Sequence, residues 1–487
     1  MRLAIMLVAA SLLLPATASA QRASFEELQT FSAVLNLIRL NHVDTVSYGP
    51  LVRAGIAGAL AAVDPHSRYV RRETAGVLMA IESGELPTSG LRLERIGDIH
   101  TVMAVGRGGP GEVAGFLAGD RIVAVRDTPV AGLSEDEVLV RLARGPREFG
   151  VGIERGAHAA PQRATLQLRP QRFEWPVIAA ELMVAPDIGL IRLAEFNSRA
   201  SDDVKSAIDR LRRQGAERLI LDLRQNPGGL VIEAVEVAAL FLPRGTEVFR
   251  TVGRKTDTNA EFKTRGGPRF ADLPLMLMVD GSTASAAEAL AASLRDHDRA
   301  RIVGHRTFGK ALVQAPFPLP AGDVLWLTIA RVVSPGGEMI QRSYDDLSAA
   351  QYRAMAADLY RGGERIGAGM TGGVAPHTYL DERSDVPPWY TEALERHIHR
   401  PILDALPADM TLDPGDDAPW HALLLQPLMA AARGAGITTA TGAPAQQRTL
   451  ARHLAVQATA SRSGPEAAAV FFIRSDPEVA RAVQEFR

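Results

Sequence analysis

Only four of the 54 basic residues in this chain are lysines: Lys205, Lys255, Lys263 and Lys310. Guanidinium stays protonated at any workable pH, whereas a buried ammonium can give up its proton. Arginine nearly everywhere, with lysine kept at 310, fits a need for an amine base at that position. A solvated surface lysine is the competing reading, and the other three lysines fit it. Lys310 stands apart by its company. It lies in Thr307-Phe308-Gly309-Lys310-Ala311-Leu312-Val313-Gln314, 25 residues after Ser285.

Ser285 follows the apolar run Leu275 to Asp280 through Gly281-Ser282-Thr283-Ala284, and opens the apolar stretch Ala286 to Leu294. A serine at a helix start is ordinarily an N-cap. Nucleophilic chemistry asks more of it: an exposed hydroxyl, an adjacent base, and N–H donors for a developing oxyanion. The first amides of a helix have no intrahelical partners, so the Ala286 N–H is a natural donor. A second is expected from Asp222-Leu223-Arg224-Gln225-Asn226-Pro227-Gly228-Gly229-Leu230, where a buried strand turns into a helix. Paired glycines let backbone approach a ligand closely; an ordinary strand-to-helix turn is the plain alternative. His297 and His305 are the nearest histidines, and neither sits in a Ser-His-Asp pattern. If a strand starts at Lys310 and runs to about Ala315, Lys310 and Gln314 share a face, and Gln314 orients the amine. Burial of Lys310 would favour its neutral form and make it a general base.

Three ordered blocks carry a resemblance: Ser282-Thr283-Ala284-Ser285-Ala286-Ala287-Glu288, Thr307-Phe308-Gly309-Lys310 with Gln314, and Leu221-Asp222-Leu223-Arg224-Gln225-Asn226-Pro227-Gly228-Gly229. Together they resemble the carboxyl-terminal processing, or tail-specific, serine peptidases, as does Val63-Asp64-Pro65-His66-Ser67. The resemblance implies an α/β, crotonase-like protease core with an inserted PDZ domain. It implies a Ser/Lys dyad completed by Gln, giving Ser285, Lys310 and Gln314 those roles. The oxyanion hole maps to Ala286 N–H and one of Gly228 or Gly229. Ala287 and Ala311 depart from the family's frequent serine and glycine, and neither replaces a catalytic group. The resemblance covers residues 25 to 340, with Thr371-Gly372-Gly373-Val374-Ala375-Pro376 beyond; nothing familiar marks 377 to 470.

The elements that must position these groups follow from pattern. Helical spacing runs from Phe25 to about Val70 (Leu28, Phe31, Val34, Leu35, Ile38; then Leu51, Ile56, Leu60), and Asp64-Pro65-His66-Ser67 ends it. A metal site or triad at Asp64, His66 and Ser67 is the alternative to a helix stop held by local side-chain bonds. Residues 83 to 173 turn into short alternating runs broken by glycine, such as Ile99 to Val105 and Arg121 to Val125. Within them Gly111 to Ile122 resembles a PDZ short helix and turn. Ser89-Gly90-Leu91-Arg92 would be the loop whose amides receive a peptide's C-terminal carboxylate, the peptide adding as an edge strand.

From Ile188 strands and helices alternate: Leu190 to Leu193, Asp202 to Gln214, Arg218 to Leu223, a helix through Leu240, Leu275 to Val279, a helix from Ser285, then Ile302-Val303 and Val324 to Val333. That order argues for a layered α/β core. Later helices are expected at Ala349 to Leu359, Glu392 to Leu406, Ala422 to Arg433 and Glu478 to Phe486, with a loop over Gly434 to Gln446. The expected division is 1–20, 21–83, 84–173, 174–376 and 377–487.

The 487 residues carry a formal net charge of −2 with 23% charged side chains, so no basic excess points to nucleic acid. No cysteine is present, which removes disulfides and thiol catalysis. Met1-Arg2, the apolar run Leu3 to Leu14 and Ala18-Ser19-Ala20 read as a cleaved secretory signal with Gln21 as the mature start. An uncleaved anchor is the alternative. The expectation is a secreted, periplasmic serine endopeptidase acting on protein C-terminal segments, with no metal or organic cofactor. A homo-oligomer or an adaptor partner stays open. A catalytically silent PDZ scaffold and a small-molecule serine hydrolase are the rivals.

Overall fold

The computed structural model describes residues 15–82, 88–96, 99–106, 108–117, 119–155, 162–173, 175–320, 322–344, 352, 372–380, 386–396, 398–407 and 410–487. The apolar run Leu3 to Leu14, the helix expected over Ala349 to Leu359 except Tyr352, and Thr371 lie outside them. The chain divides into two compact units, Met1–Tyr69 and Val70–Arg487.

In the first unit, helix α1 (Pro15–Asn41) packs on α2 (Tyr48–Ala61). A Cβ at Gly55 would lie 2.6 Å from the Phe31 ring, so glycine sets how closely the helices approach. After α2, Asp64 is buried and its carboxylate accepts the N–H groups of His66 and Ser67, both at 2.7 Å. This is the local stop that the sequence suggests. A three-residue strand, β1 (Arg68–Val70), follows.

The second unit opens with α3 (Arg72–Glu82) and then a β module. Strands β2 (Leu91–Ile96), β3 (Ile99–Val105), β4 (Arg121–Val125), β5 (Thr128–Pro129), β6 (Phe149–Arg155) and β7 (Gln162–Leu168) pair antiparallel in the order β2-β3-β4-β6-β7, with β5 on β4. Helices α4 (Pro110–Ala114) and α5 (Glu135–Ala143) belong to it. Its core is Leu91, Leu93, Val102, Ile122, Val138, Val151, Ile153 and their neighbours. Strand β2 stands at the edge of its sheet.

The central sheet runs β17-β14-β13-β10-β9-β8. These strands are β8 (Ile178–Ala185), β9 (Ile188–Leu193), β10 (Arg218–Asp222), β13 (Leu275–Val279), β14 (Arg301–Gly304) and β17 (Thr378–Tyr379). Only β8 pairs antiparallel; the rest are parallel. Leu275 to Val279 are all buried, as expected for a parallel strand covered on both faces. One face takes α6 (Ala200–Arg213), α7 (Val231–Ala239) and α8 (Ala286–Asp296). On α6 the buried residues Val204, Ala207, Ile208 and Leu211 recur at helical spacing, which gives one apolar stripe. A second sheet joins β16 (Val324–Val333), β11 (Glu247–Gly253) and β12 (Ala260–Lys263), with β15 (Leu312–Pro318) also on β16.

The opposite face of the central sheet is covered from far along the chain. Ile473, Val479 and Ala482 pack on Leu182, Leu190, Ile220, Met276 and Met278. They come from Pro444–Arg474, whose helical path breaks at Gly464 (φ 81°), and from Pro477–Phe486. The single helix expected over Glu392 to Leu406 is two, Pro388–Glu395 and Arg400–Asp404, because Pro401 lacks the N–H to continue the first and suits the first turn of the second. The loop expected to Gln446 ends at Ala443, where Pro444 opens the next helix. Ala422 to Arg433 is helical, through His421–Leu425 and Gln426–Gly434. Trp389, Tyr390, Leu424, Leu428 and Leu454 form a separate core in this region.

Candidate active site

Strand β13 ends at Val279, and after six intervening residues the chain enters α8 at Ala286. Ser285 takes the turn at φ 57°, ψ −118°. An ordinary N-cap sits in the extended region at no conformational cost, whereas a serine at positive φ is strained, and such strain concentrates at functional positions. The turn is braced from below. Asp280 accepts the N–H of Ser282 at 3.0 Å, and the Thr283 hydroxyl donates to the Leu223 carbonyl at 2.9 Å. Ser285 itself remains partly exposed.

Glu288, in the first turn of α8, is fully buried. Its Oε2 accepts the backbone N–H of Ser285 and that of Lys310, both at 2.9 Å. Its Oε1 accepts the Gly309 N–H at 2.6 Å and the Thr307 hydroxyl at 2.5 Å. One carboxylate oxygen thus fixes the backbone of Ser285 against that of Lys310. Burial raises the Glu288 carboxyl to about 7, while its four donors pull the other way.

Lys310 is not where strand alternation would put it. Strand β15 begins only at Leu312, so the shared face expected of Lys310 and Gln314 is not a strand face. Lys310 is held instead on a strap, Thr307 to Ala311, fastened at several points. Glu288 takes three of its donors. The Ala311 N–H donates to the Gln341 side chain at 2.8 Å. The buried Arg342 donates to the carbonyls of Phe308 at 2.8 Å and Thr307 at 3.0 Å. Gly309 (φ 87°) has no room for a side chain, since a Cβ would meet that of Arg342 at 2.8 Å. Gln314 lies on β15, opposite Thr328, where the pairing with β16 shifts register. Lys310 and Gln314 are both partly buried.

The turn after β10 comes up beside the serine. A Cβ at Gly228 would lie 2.7 Å from Ser285 Cβ and 2.8 Å from the Ala286 nitrogen. The two candidate glycines differ. Gly228 N–H donates to the Asn226 side chain at 2.8 Å, and Gly228 carbonyl accepts from Phe196. Gly229 stands in a bridge with Phe196 that employs the groups on either side of it. Among the described residues, neither the Gly229 nor the Ala286 N–H has a hydrogen-bond acceptor. His297 and His305 are engaged elsewhere, His297 with the Glu247 carbonyl at 2.7 Å and His305 with Glu478 at 3.3 Å. Among the described residues no cluster of acidic or histidine side chains could hold a metal.

In the β module, Ser89 is buried and its hydroxyl accepts the Leu91 N–H at 3.3 Å, while Gly90 takes φ 65° and its carbonyl accepts from Gly106. Leu91 and Arg92 begin the edge strand β2. The Arg92 guanidinium turns to the α/β core, where it pairs with Glu195 and stacks 4.4 Å from the Trp175 ring centroid. Glu288 and Arg342 carry no role in a reading of the sequence. Ser285-x-x-Glu288 has the form of a helix capping box, which disguises a carboxylate that reaches across to a second loop.

Known proteins similar to this chain identify its family. A profile of peptidase family S41 matches residues 187–345, the stretch that holds Ser285, Lys310 and the glycine pair. A carboxy-terminal-processing protease of Bartonella bacilliformis is 30% identical over 329 residues, covering 67% of this chain and 75% of that protein. The chain belongs to the carboxyl-terminal-processing protease family. A carboxyl-terminal-processing protease of Synechocystis is 37% identical over 284 residues, which spans 57% of this chain and 65% of that relative. A solved photosystem II D1 C-terminal processing protease aligns over 72% of this chain and 92% of its own, with 26% identity and a TM-score of 0.46.

Proposed function

We propose that this member of the carboxyl-terminal-processing protease family is a serine endopeptidase that works with a Ser285/Lys310 dyad. The observation that carries the reading is the single Glu288 oxygen that accepts the N–H groups of both residues at 2.9 Å. A buried carboxylate is costly unless it is hydrogen-bonded, and here two of its four bonds come from the two residues the chemistry needs.

In this mechanism the Lys310 amine takes the proton of the Ser285 hydroxyl as Oγ attacks the scissile carbonyl carbon. The carbonyl oxygen becomes an oxyanion, received by the N–H groups of Ala286 and Gly229. Gly229 is preferred to Gly228 because Asn226 already accepts the Gly228 N–H. Gln314 holds the amine. The tetrahedral intermediate collapses as Lys310 returns the proton to the leaving amine, and a water deprotonated by Lys310 then releases the acyl group. The reaction calls for no metal or organic cofactor.

The α/β core is read as crotonase-like, and residues 84–173 as an inserted PDZ domain. In support, β2 is an edge strand and begins at the Ser89-Gly90 loop, as addition of a peptide strand requires. Substrates are proteins presenting their C-terminal segments. Residues 1–20 are read as a signal peptide that delivers the enzyme to the periplasm. Among the described residues no helix is long and apolar enough to cross a membrane.

Cleavage of an unfolded protein with a free apolar C-terminus is the test, with Ser285→Ala and Lys310→Arg alongside wild type. Arginine keeps the charge and cannot serve as base. Cutting by wild type alone is the expected result. Equal cutting by all three would overturn the dyad, and silence from all three with equal peptide binding would leave a scaffold.

A further inference from the structure

Beneath the glycine turn lies a buried charge cluster that the mechanism above does not use. Arg224, four residues before Gly228, is 2% exposed. Its Nε and one terminal nitrogen grip Asp222 at 2.9 and 2.8 Å. The other terminal nitrogen donates to Asp476 at 2.9 Å and to Glu478. Those two acids stand more than 250 residues further along, at the start of Pro477–Phe486. Around them Arg452 approaches Asp476 at 3.2 Å, and Arg192 approaches Asp222 at 3.5 Å while donating to the Gln225 side chain at 2.7 Å. Glu478 reaches further. Its other oxygen faces His305 at 3.3 Å, two residues before the strap that carries Lys310.

A cluster of this kind is a weak source of stability, since desolvation consumes much of its Coulomb attraction. Its geometric demand is strong. A guanidinium presents five donors in a fixed planar fork. Asp222 fills one edge, and the two acids of the closing helix fill the next. Neutralise them and the buried Arg224 guanidinium keeps Asp222 alone as counter-charge among the carboxylates that bond it. The cheapest relief is movement of the turn toward water, and Gly229 travels with it.

We propose that Asp476 and Glu478 are positioning residues for the oxyanion turn, acting through Arg224. The proposal rests on the peptidase reading above. It gives the C-terminal helices a part in the reaction as well as in covering the sheet. Glu478 touches both limbs of the site, the glycine turn through Arg224 and the lysine strap through His305.

The test uses the full chain with Asp476→Asn/Glu478→Gln, the near-isosteric single Glu478→Gln should the double fail to fold, and Val479→Ala as control. Val479 is buried on the same helix, so its truncation loosens docking without touching Arg224. The readouts are kcat and KM on an unfolded protein substrate and the rate of Ser285 labelling by a fluorophosphonate, all well below each variant's melting temperature. Loss of one oxyanion donor costs about 100-fold or more in kcat, so partial displacement predicts a fall of about 10- to 100-fold with KM within about twofold. Labelling should slow in step, and Val479→Ala should keep its kcat despite a lower Tm. A neutralised variant with kcat within about twofold of wild type overturns the proposal, as does a loss that Val479→Ala matches. Wild type no faster than Ser285→Ala would bring down the peptidase reading and this proposal with it.

Discussion

The two faces of the central sheet are covered by helices with opposite relations to the chain. Helices α6, α7 and α8 each connect directly to strands of the sheet they cover, so that face is built from contacts between near neighbours in sequence. The other face waits for Ile473, Val479 and Ala482, which arrive after the whole sheet has been laid down. The first face supplies Ser285 and the glycine turn from its loops. The second supplies none of the groups proposed to react, yet two of its carboxylates close on Arg224. A fold of this kind separates making a site from holding it.

The sharpest way to break that separation is Glu288→Ala. It leaves four donors without an acceptor, at about 1–3 kcal/mol each for those that stay buried. We expect kcat to fall at least about 100-fold and thermal stability to drop by several degrees, measured by peptide cleavage and calorimetry. Gly229→Ala comes next. Its Cβ would sit 2.2 Å from the Phe196 carbonyl oxygen at φ 133°, so the turn must shift. A kcat loss of about 100-fold with little change in KM is expected.

Two buried groups, Glu288 on the first face and His453 in the separate helical core, should titrate with opposite sign. Glu288 is raised to about 7 from 4.5, chiefly by burial, so it binds its proton more tightly folded than unfolded. Its contribution to stability is present below pH 4.5 and is lost as pH rises through about 7. His453, in the helical region beside Tyr390, is lowered to about 4 from 6.5, again chiefly by burial. Its contribution is present above pH 6.5 and is lost as pH falls through about 4. Each is worth on the order of 3 kcal/mol. Denaturant melts from pH 4 to 8 should show Glu288→Gln flattening the neutral limb and His453→Gln flattening the acid limb; the reverse assignment would refute both. The smallest effect belongs to the half-exposed pair Arg301 and Glu485 at 3.2 Å, where Glu485→Gln should move stability by no more than about 0.5 kcal/mol.

Much of the α/β layering was legible because the two central parallel strands carry unbroken apolar runs, Leu219 to Leu221 and Leu275 to Val279. Ser285, Lys310 and the Gly228-Gly229 pair could be nominated for a similar reason: the serine and the glycines mark turns, and the lysine is rare. Their supports could not. Glu288 reads as a helix cap, and Arg342 and Arg224 are two arginines among fifty. Nothing local announces that Arg224 meets Asp476, because ion pairing carries no periodicity and the partners are 252 residues apart. The break at Pro401 was visible as a proline, but the apolar spacing on either side of it hid the break.

Placement of the second cover has a consequence in time. Synthesis proceeds from the N terminus, so residues 473 to 486 emerge after every strand of the central sheet and after both Ser285 and Lys310. Until they dock, Met276, Met278 and Ile220 face water and Arg224 has only Asp222 for a partner among the carboxylates described. On the proposed reading the oxyanion turn therefore stays unset while the chain is still being made, and the protease becomes a hazard to unfolded chains only once it has ceased to be one.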